Sequence, residues 1–363
     1  MPERFDIAIV GGGMAGASLA AELATGGAGQ VLLLEAEAQP GYHATGRSAA
    51  FWSESYGGPA IQPLTAASGP TLRALGMLRN RGALTIGREG QEARLEAFVA
   101  EFRALGMNIA LEDRADIAAR IPGLRASWSL GAFEPDCSDI DVAALHQHYL
   151  ATGRQAGVAL RSNARLVRAE HSPAGWLIAT ADGREATCPV LVNAAGAWAD
   201  EVACTAGAAP LGIAPLRRTV AQLRTDPAPP PNLPLVLDIG ETFYFKPESG
   251  RLWLSPHDET PSQACDAAPE QIDVATAIAR LEQVVDWKAG RVEHSWAGLR
   301  SFAPDRLPVY GFDADVPDFF WFAGQGGFGI QTAPAAACMA AGLLLGEVGG
   351  EIDPALYAPS RFR

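Results

Sequence analysis

Phe5-Asp6-Ile7-Ala8-Ile9-Val10-Gly11-Gly12-Gly13-Met14-Ala15-Gly16, followed by Ala17-Ser18-Leu19-Ala20-Ala21-Glu22-Leu23, is the stretch whose reading decides the fold. A short apolar run ending in glycines reads as a buried parallel strand, and the small residues after it as a helix. Each glycine has a separate task. Gly11 permits the tight turn, Gly13 lets backbone approach a pyrophosphate, and Gly16 lets the helix pack close on the strand. The helix start, with Met14 and Ala15 in its first turn, offers free N–H groups and a positive dipole end to phosphate. A second apolar run, Val31-Leu32-Leu33-Leu34, ends in Glu35. A carboxylate at that distance accepts hydrogen bonds from both ribose hydroxyls of an adenosine. A lone GxGxxG is a weak signal. With a strand before it, a helix after it and an acid at the right spacing, it specifies an adenine-dinucleotide cradle.

Two further segments extend the cradle. Residues 40–50 are mostly small, with hydroxyls and one arginine: Ala44, Thr45, Arg47, Ser48 and Ala49 let backbone amides line a long, flat, phosphate-bearing ligand. Near the C-terminus, the apolar run 319–323 reads as a strand and 324–332 as a glycine loop. A helix over 333–345 follows, with Pro334 in its tolerated first turn. This repeats the opening order of strand, glycine loop and helix start. Such a dipole end suits the edge of a flavin ring where negative charge gathers on reduction, although the segment also reads as plain chain closure.

The bulk properties exclude several classes. At 363 residues the chain suits two interleaved domains rather than one simple core. A net charge of −13 disfavours a polyanionic partner, so no nucleic acid is expected. Five cysteines without a CxxC pair argue against a disulfide framework or a zinc cage and fit a reducing cytoplasm. His146 and His148, two apart on an expected helix, face different ways, and no metal site is expected. The first strand begins at once, so no signal peptide is expected. The apolar stretch 335–345 is about half of the ~20 residues a membrane span needs.

These residues carry a family resemblance. The chain resembles the D-amino-acid oxidase and glycine oxidase group of FAD enzymes, and within it the bacterial D-arginine dehydrogenases most. The matching stretches are 9–23, 40–50, 190–198, 242–247, 296–302 and 324–332, in order along the chain. The resemblance implies an α/β and α+β fold: a glutathione-reductase-like, Rossmann-type FAD-binding domain with an interleaved antiparallel-sheet substrate domain. The expected division is 1–50, 138–215 and 303–363 for FAD, and 51–137 and 216–302 for substrate. Asp182-Gly183 and Glu248-Ser249-Gly250 mark two hairpins. Val274, Ile278, Leu281 and Val285 mark the apolar face of a helix covering the sheet, and the proline-dense 227–234 reads as an exposed connection. The resemblance adds Ala195, Gly196, Trp198, Gly326, Gly327, Gly329, Ile330, Gln331 and Thr332 to the FAD contacts. FAD is expected to be non-covalent, with His43 the alternative attachment site.

A substrate carboxylate is best held by a guanidinium fork. Arg300 matches the family's carboxylate-binding arginine and Tyr244 the tyrosine that donates to the same group. Read alone, Arg300 equally suits a surface ion pair and Tyr244 an ordinary sheet aromatic. Arg218, Tyr56 on the closing loop, Gly327 and Gln331 match further positions close to substrate. Two departures matter. Where the D-arginine enzymes carry a carboxylate for the substrate's distant cation, this chain has Ala83, unless Glu89 slides into that place. Where they carry a histidine, it has Phe51. Both changes favour a neutral, hydrophobic or cyclic imino substrate, while Glu54 stands by as a substitute carboxylate.

The expected reaction is hydride transfer from Cα of a D-amino acid to flavin N5. The imino acid then hydrolyses to a 2-keto acid and ammonia, and oxygen, a quinone or a partner protein reoxidises the flavin. The alternatives are a 2-hydroxy-acid dehydrogenase with FAD, or the flavoprotein subunit of a multi-chain amino-acid dehydrogenase.

Overall fold

The computed structural model describes residues 2–347, 350 and 352–362. Four β-sheets and the helices packed on them make a mixed α/β fold. The first sheet has six strands in the order Ala159–Arg161, Val31–Leu34, Ile7–Val10, Val190–Asn193, Phe319–Ala323 and Val309–Phe312, all parallel except the last. Alternation along each strand divides its two faces. Ile7, Ile9, Leu33 and Phe320 pack beneath the helices Met14–Thr25 and Ala333–Leu345. Ala8, Val10, Leu32 and Trp321 pack with Trp176 and Ile178 of a four-stranded meander on the other side. Helices, parallel sheet and meander form the three layers of a dinucleotide-binding unit.

The meander contains the Asp182-Gly183 turn, between strands Gly175–Thr180 and Glu185–Cys188. The largest sheet, of ten strands, is mainly antiparallel and centres on the long pair Ala214–Asp226 and Lys288–Phe302. The Glu248-Ser249-Gly250 hairpin joins Tyr244–Glu248 to Arg251–Ser255 and sets Tyr244 opposite Ser255. Helix Gln271–Glu282 covers this sheet, burying Ala277 and Leu281 against Phe245 and Leu254, with Val284 and Val285 just beyond its end. The connection 227–234 is only partly exposed. Pro229, Leu233 and Pro234 are buried, because the segment must turn back under the sheet before strand Leu235–Asp238. A small fourth sheet pairs Phe51–Trp52 and Leu78–Asn80 with Ser138–Ile140, next to the cleft.

Candidate active site

A cleft of about 330 Å³ runs from the carboxyl ends of the parallel strands, at Val10, Leu34 and Ala194, to the face of the large sheet. Gly11 adopts φ +112°, and a Cβ there would stand 2.4 Å from the Ala194 carbonyl oxygen. A Cβ on Gly16 would stand 1.8 Å from the Gly11 oxygen, so only glycine lets the helix start this close to the turn. The N-cap residue Gly13 has no side chain with which to cap helix Met14–Thr25. Met14 N–H donates to Thr45 Oγ1 at 2.9 Å, tying the short helical turn Ala44–Arg47 to that start. His146 supports the turn from behind, with Nε2 2.9 Å from the Gly12 oxygen.

At the far end Glu35 accepts N–H from Gly12 at 3.1 Å and from Glu37 at 2.8 Å. Burial raises its pKa against the pull of these donors, and its remaining lone pairs suit hydroxyl donors. His43 packs against Trp198, ring centroids 4.6 Å apart. Its Nε2 lies 3.0 Å from Glu37, and its buried Nδ1 has no partner. A helix start with glycine at its N-cap, a carboxylate with spare acceptors and an unpartnered imidazole nitrogen all fit an adenine dinucleotide laid along the cleft. FAD would lie across Gly11, Gly13, Thr45 and Glu35.

The other end of the cleft is cationic. Arg218, on strand Ala214–Asp226, is 5% exposed, and Tyr244, across the sheet, is 3% exposed. Arg218 Nε donates to the Asp258 oxygen at 2.8 Å, while its buried Nη1 and Nη2 have no hydrogen-bond partner. Arg300 Nη1 donates to Tyr56 Oη at 3.1 Å and Nη2 to Glu259 Oε1 at 2.7 Å, leaving buried Nε unpartnered. Burial lowers the Arg300 pKa, and the Arg218 charge adds to that. Glu259 also takes Arg306 at 2.7 Å and lies 3.6 Å from Arg218. Burial would raise its pKa, but the three arginines hold it below the ordinary carboxylate value. Three cations face two anions, Asp258 and Glu259, so one positive charge is left for an incoming carboxylate.

The match of residues 6–343 to the FAD dependent oxidoreductase (DAO) family decides what the cradle holds. The chain belongs to this family. Among curated proteins it is similar to hydrogen cyanide synthase subunit HcnC of Pseudomonas aeruginosa, 25% identical over 284 residues, 74% of this chain and 63% of HcnC. The chain thus spans less than two thirds of that relative's length. Its fold is that of glycine oxidase from Geobacillus kaustophilus, with TM-score 0.86 and 23% identity over 99% of each chain. L-proline dehydrogenase from P. horikoshii gives TM-score 0.87 and 19% identity over 100% of this chain and 98% of that one. The cofactor of this FAD-dependent oxidoreductase is FAD. Among the described residues no helix is long and apolar enough to cross a membrane, and no cluster of His, Cys, Asp or Glu could hold a metal.

The cleft wall holds most of the expected FAD-site residues, with Gly16 and Thr332 off it and with Arg47 and Gln331 on it but hydrogen-bonded to other segments. Gly16 and Thr332 stand behind the cleft wall, and the fully buried Thr332 hydroxyl donates to the Phe328 oxygen at 2.9 Å. Arg47 lines the cleft, but its guanidinium is engaged by Asp266 and by the carbonyls of Ala267 and Ala297, at 2.8 and 3.2 Å. It clamps the 265–267 segment over the mouth instead of offering a free fork. Gln331 also lines the cleft, yet its amide donates to Tyr56 O at 3.1 Å and Thr65 Oγ1 at 2.9 Å, so it anchors the turn that carries Tyr56. Glu54 accepts from Gln62 at 2.7 Å and does not line the cleft. Glu89 is exposed beyond the end of strand Ala83–Arg88. Neither supplies a carboxylate to the site. The open guanidinium fork belongs to Arg218, not to Arg300.

Three groups escaped the sequence reading. Asp258 and Glu259 come three and four residues after strand Arg251–Ser255, and the hairpin register that pairs Tyr244 with Ser255 was the signal that could have found them. His257, with φ +53°, sets its ring edge-on to Tyr244 and Tyr56, centroids 5.7 and 6.5 Å away. Its Nδ1 lies 2.7 Å from the Glu241 oxygen, which only accepts, so Nδ1 carries the proton. Burial, reinforced by the Arg218, Arg300 and Arg306 charges, pushes its pKa down to about 2, and the ring is neutral at working pH. Arg165, Val202 and Thr205 wall the Glu35 end without any motif to announce them.

Proposed function

We propose that this FAD-dependent oxidoreductase oxidises a D-amino acid, preferring a neutral or hydrophobic side chain or a cyclic imino acid, with FAD held non-covalently. One observation carries the reading. The buried Arg218 fork, without hydrogen-bond partners, lies beside Tyr244 and Arg300 on a wall of the cleft that also holds the dinucleotide cradle. A buried guanidinium without acceptors is costly, and a carboxylate is the acceptor its geometry fits.

Bound FAD supplies the acceptor for the hydride that leaves Cα. The chain's own residues bind and orient. Arg218 and Arg300 pin the carboxylate, the Tyr244 ring borders it, and Tyr56 covers it and sheds water. Side-chain preference follows from Phe51, which lines the cleft and packs against an apolar cluster of Ala83, Tyr244 and Cys137. Phe51 also packs edge-on to Tyr56 at 4.9 Å. A distal ammonium there would be buried without a partner, at a cost of several kcal/mol. A released open-chain imino acid hydrolyses in water to a 2-keto acid and ammonia, whereas a cyclic one opens to a 2-keto acid that keeps its amine. D-stereochemistry rests on the family resemblance.

The test mixes the yellow protein anaerobically with D- and L-amino acids, prolines and 2-hydroxy acids and follows flavin bleaching. Neutral D-amino acids or proline should bleach it fastest and D-arginine slowly. Bleaching by hydroxy acids alone sinks the amine reading. A flavin that no compound reduces points to a subunit that needs a partner. Acid precipitation should leave the flavin in the supernatant, as expected for FAD held non-covalently. A yellow pellet would show covalent attachment.

A further inference from the structure

Among the described residues, Glu134 is the most deeply buried of the carboxylates that the mechanism leaves unused. The residue ends strand Trp128–Glu134, 2% exposed, directly opposite Ala83 in the large sheet. It takes three hydrogen bonds from consecutive residues of one turn: Ser53 Oγ at 2.8 Å, Glu54 N–H at 2.8 Å and Ser55 Oγ at 2.6 Å. The next residue is Tyr56, whose hydroxyl meets Arg300. Gln331 grips the same turn from the cofactor side, through Tyr56 O and Ser53 N–H. Segment 53–56 is therefore hung between two anchors, Gln331 on the cleft wall and Glu134 behind it.

Resting on the substrate-site reading above, we propose that Glu134 is the latch of the segment that closes over the substrate. Its carboxylate seats two hydroxyls and an amide, which carries Tyr56 onto Arg300 and holds the cleft shut. Glu134 itself does not line the cleft, so it is a positioning residue. The same contacts explain a selectivity. A carboxylate stands across the strand pair from Ala83, but its acceptors are spent on the turn and cannot reach a substrate cation. Charge-assisted hydrogen bonds to a desolvated carboxylate are strong, and their loss shifts a closed turn toward an open one.

The test uses FAD-loaded protein, with propionate as an unreactive monocarboxylate that perturbs the flavin spectrum. Glu134→Gln should speed propionate dissociation by about tenfold, since the amide offers one acceptor where the carboxylate offered two. Amide hydrogen exchange over 53–57 should rise while exchange in strand Ile7–Val10 stays as in the parent. With a substrate in hand, KM should rise more than kcat falls. The Ser53→Ala/Ser55→Ala pair should give the same changes, and adding it to Glu134→Gln should cost little more, because both act through one set of bonds. Should Glu134→Gln lose FAD, the serine pair carries the test alone. Parent-like dissociation and exchange in either variant, or fully additive effects, would overturn the latch. Propionate binding needs no turnover, so a chain that oxidises no amino acid would refute the proposed function and still leave the latch decided.

Discussion

Truncating Arg218 to alanine is expected to lower kcat/KM for the best substrate by about two to three orders of magnitude, or roughly 3–4 kcal/mol of transition-state binding. The reason lies in which nitrogens are open. Both terminal nitrogens of Arg300 are taken, by Tyr56 and Glu259, whereas those of Arg218 have no hydrogen-bond partner. Arg218 is also 5% exposed, so water screens it little and a carboxylate meets it at nearly full strength. Arg218→Lys should recover only part of the loss, because an ammonium keeps the charge without the fork. Propionate affinity should fall with kcat/KM. Steady-state kinetics on Arg218→Ala and Arg300→Ala decide the point. If Arg218→Ala stays within about threefold of the parent while Arg300→Ala carries the whole loss, the carboxylate sits elsewhere than the geometry indicates.

Gly16→Ala is expected to give a colourless, markedly less stable protein. The new methyl would lie 1.8 Å from the Gly11 carbonyl oxygen, a backbone atom that cannot rotate away. Turn and helix must separate, which costs about 3 kcal/mol or more in so tightly packed a place. It also moves the helix start that faces the phosphates. Loss of FAD then removes the stabilisation that a ligand bound only to the folded state provides, so the two effects add. Gly13→Ala makes the contrast. Its Cβ would meet the Thr45 hydroxyl at 3.3 Å, a contact a small side-chain shift relieves. That variant should fold normally and lose about tenfold in FAD affinity, since the methyl intrudes where backbone must approach the pyrophosphate. Flavin content per chain and Tm measure both. A yellow Gly16→Ala protein melting with the parent would refute this account of the cradle.

Much of the site was legible before any coordinates. The glycine turn, Glu35, the 44–49 segment and the 324–331 loop are local patterns, and the cleft wall contains nearly all of them. Tyr56, Arg218, Tyr244 and Arg300 were legible as residues but not as an arrangement. Their division of labour depends on Asp258 and Glu259, which lie far from Arg218 in sequence and reach it only through the sheet. Arg47 and Gln331 show the opposite limit. Each stands where expected, yet its polar atoms are taken by segments more than two hundred residues distant.

By itself the sequence determined the cofactor cradle, because phosphate binding at a helix start is a property of one short continuous segment. Strand period, glycine spacing and the acid after the second strand all act within a few dozen residues. Only the tertiary structure decided which guanidinium stays open and which carboxylate holds the turn before Tyr56. Hydrogen-bond donors and acceptors are claimed by whichever partner the packed sheets bring within about 3 Å, and no spacing along the chain encodes that distance.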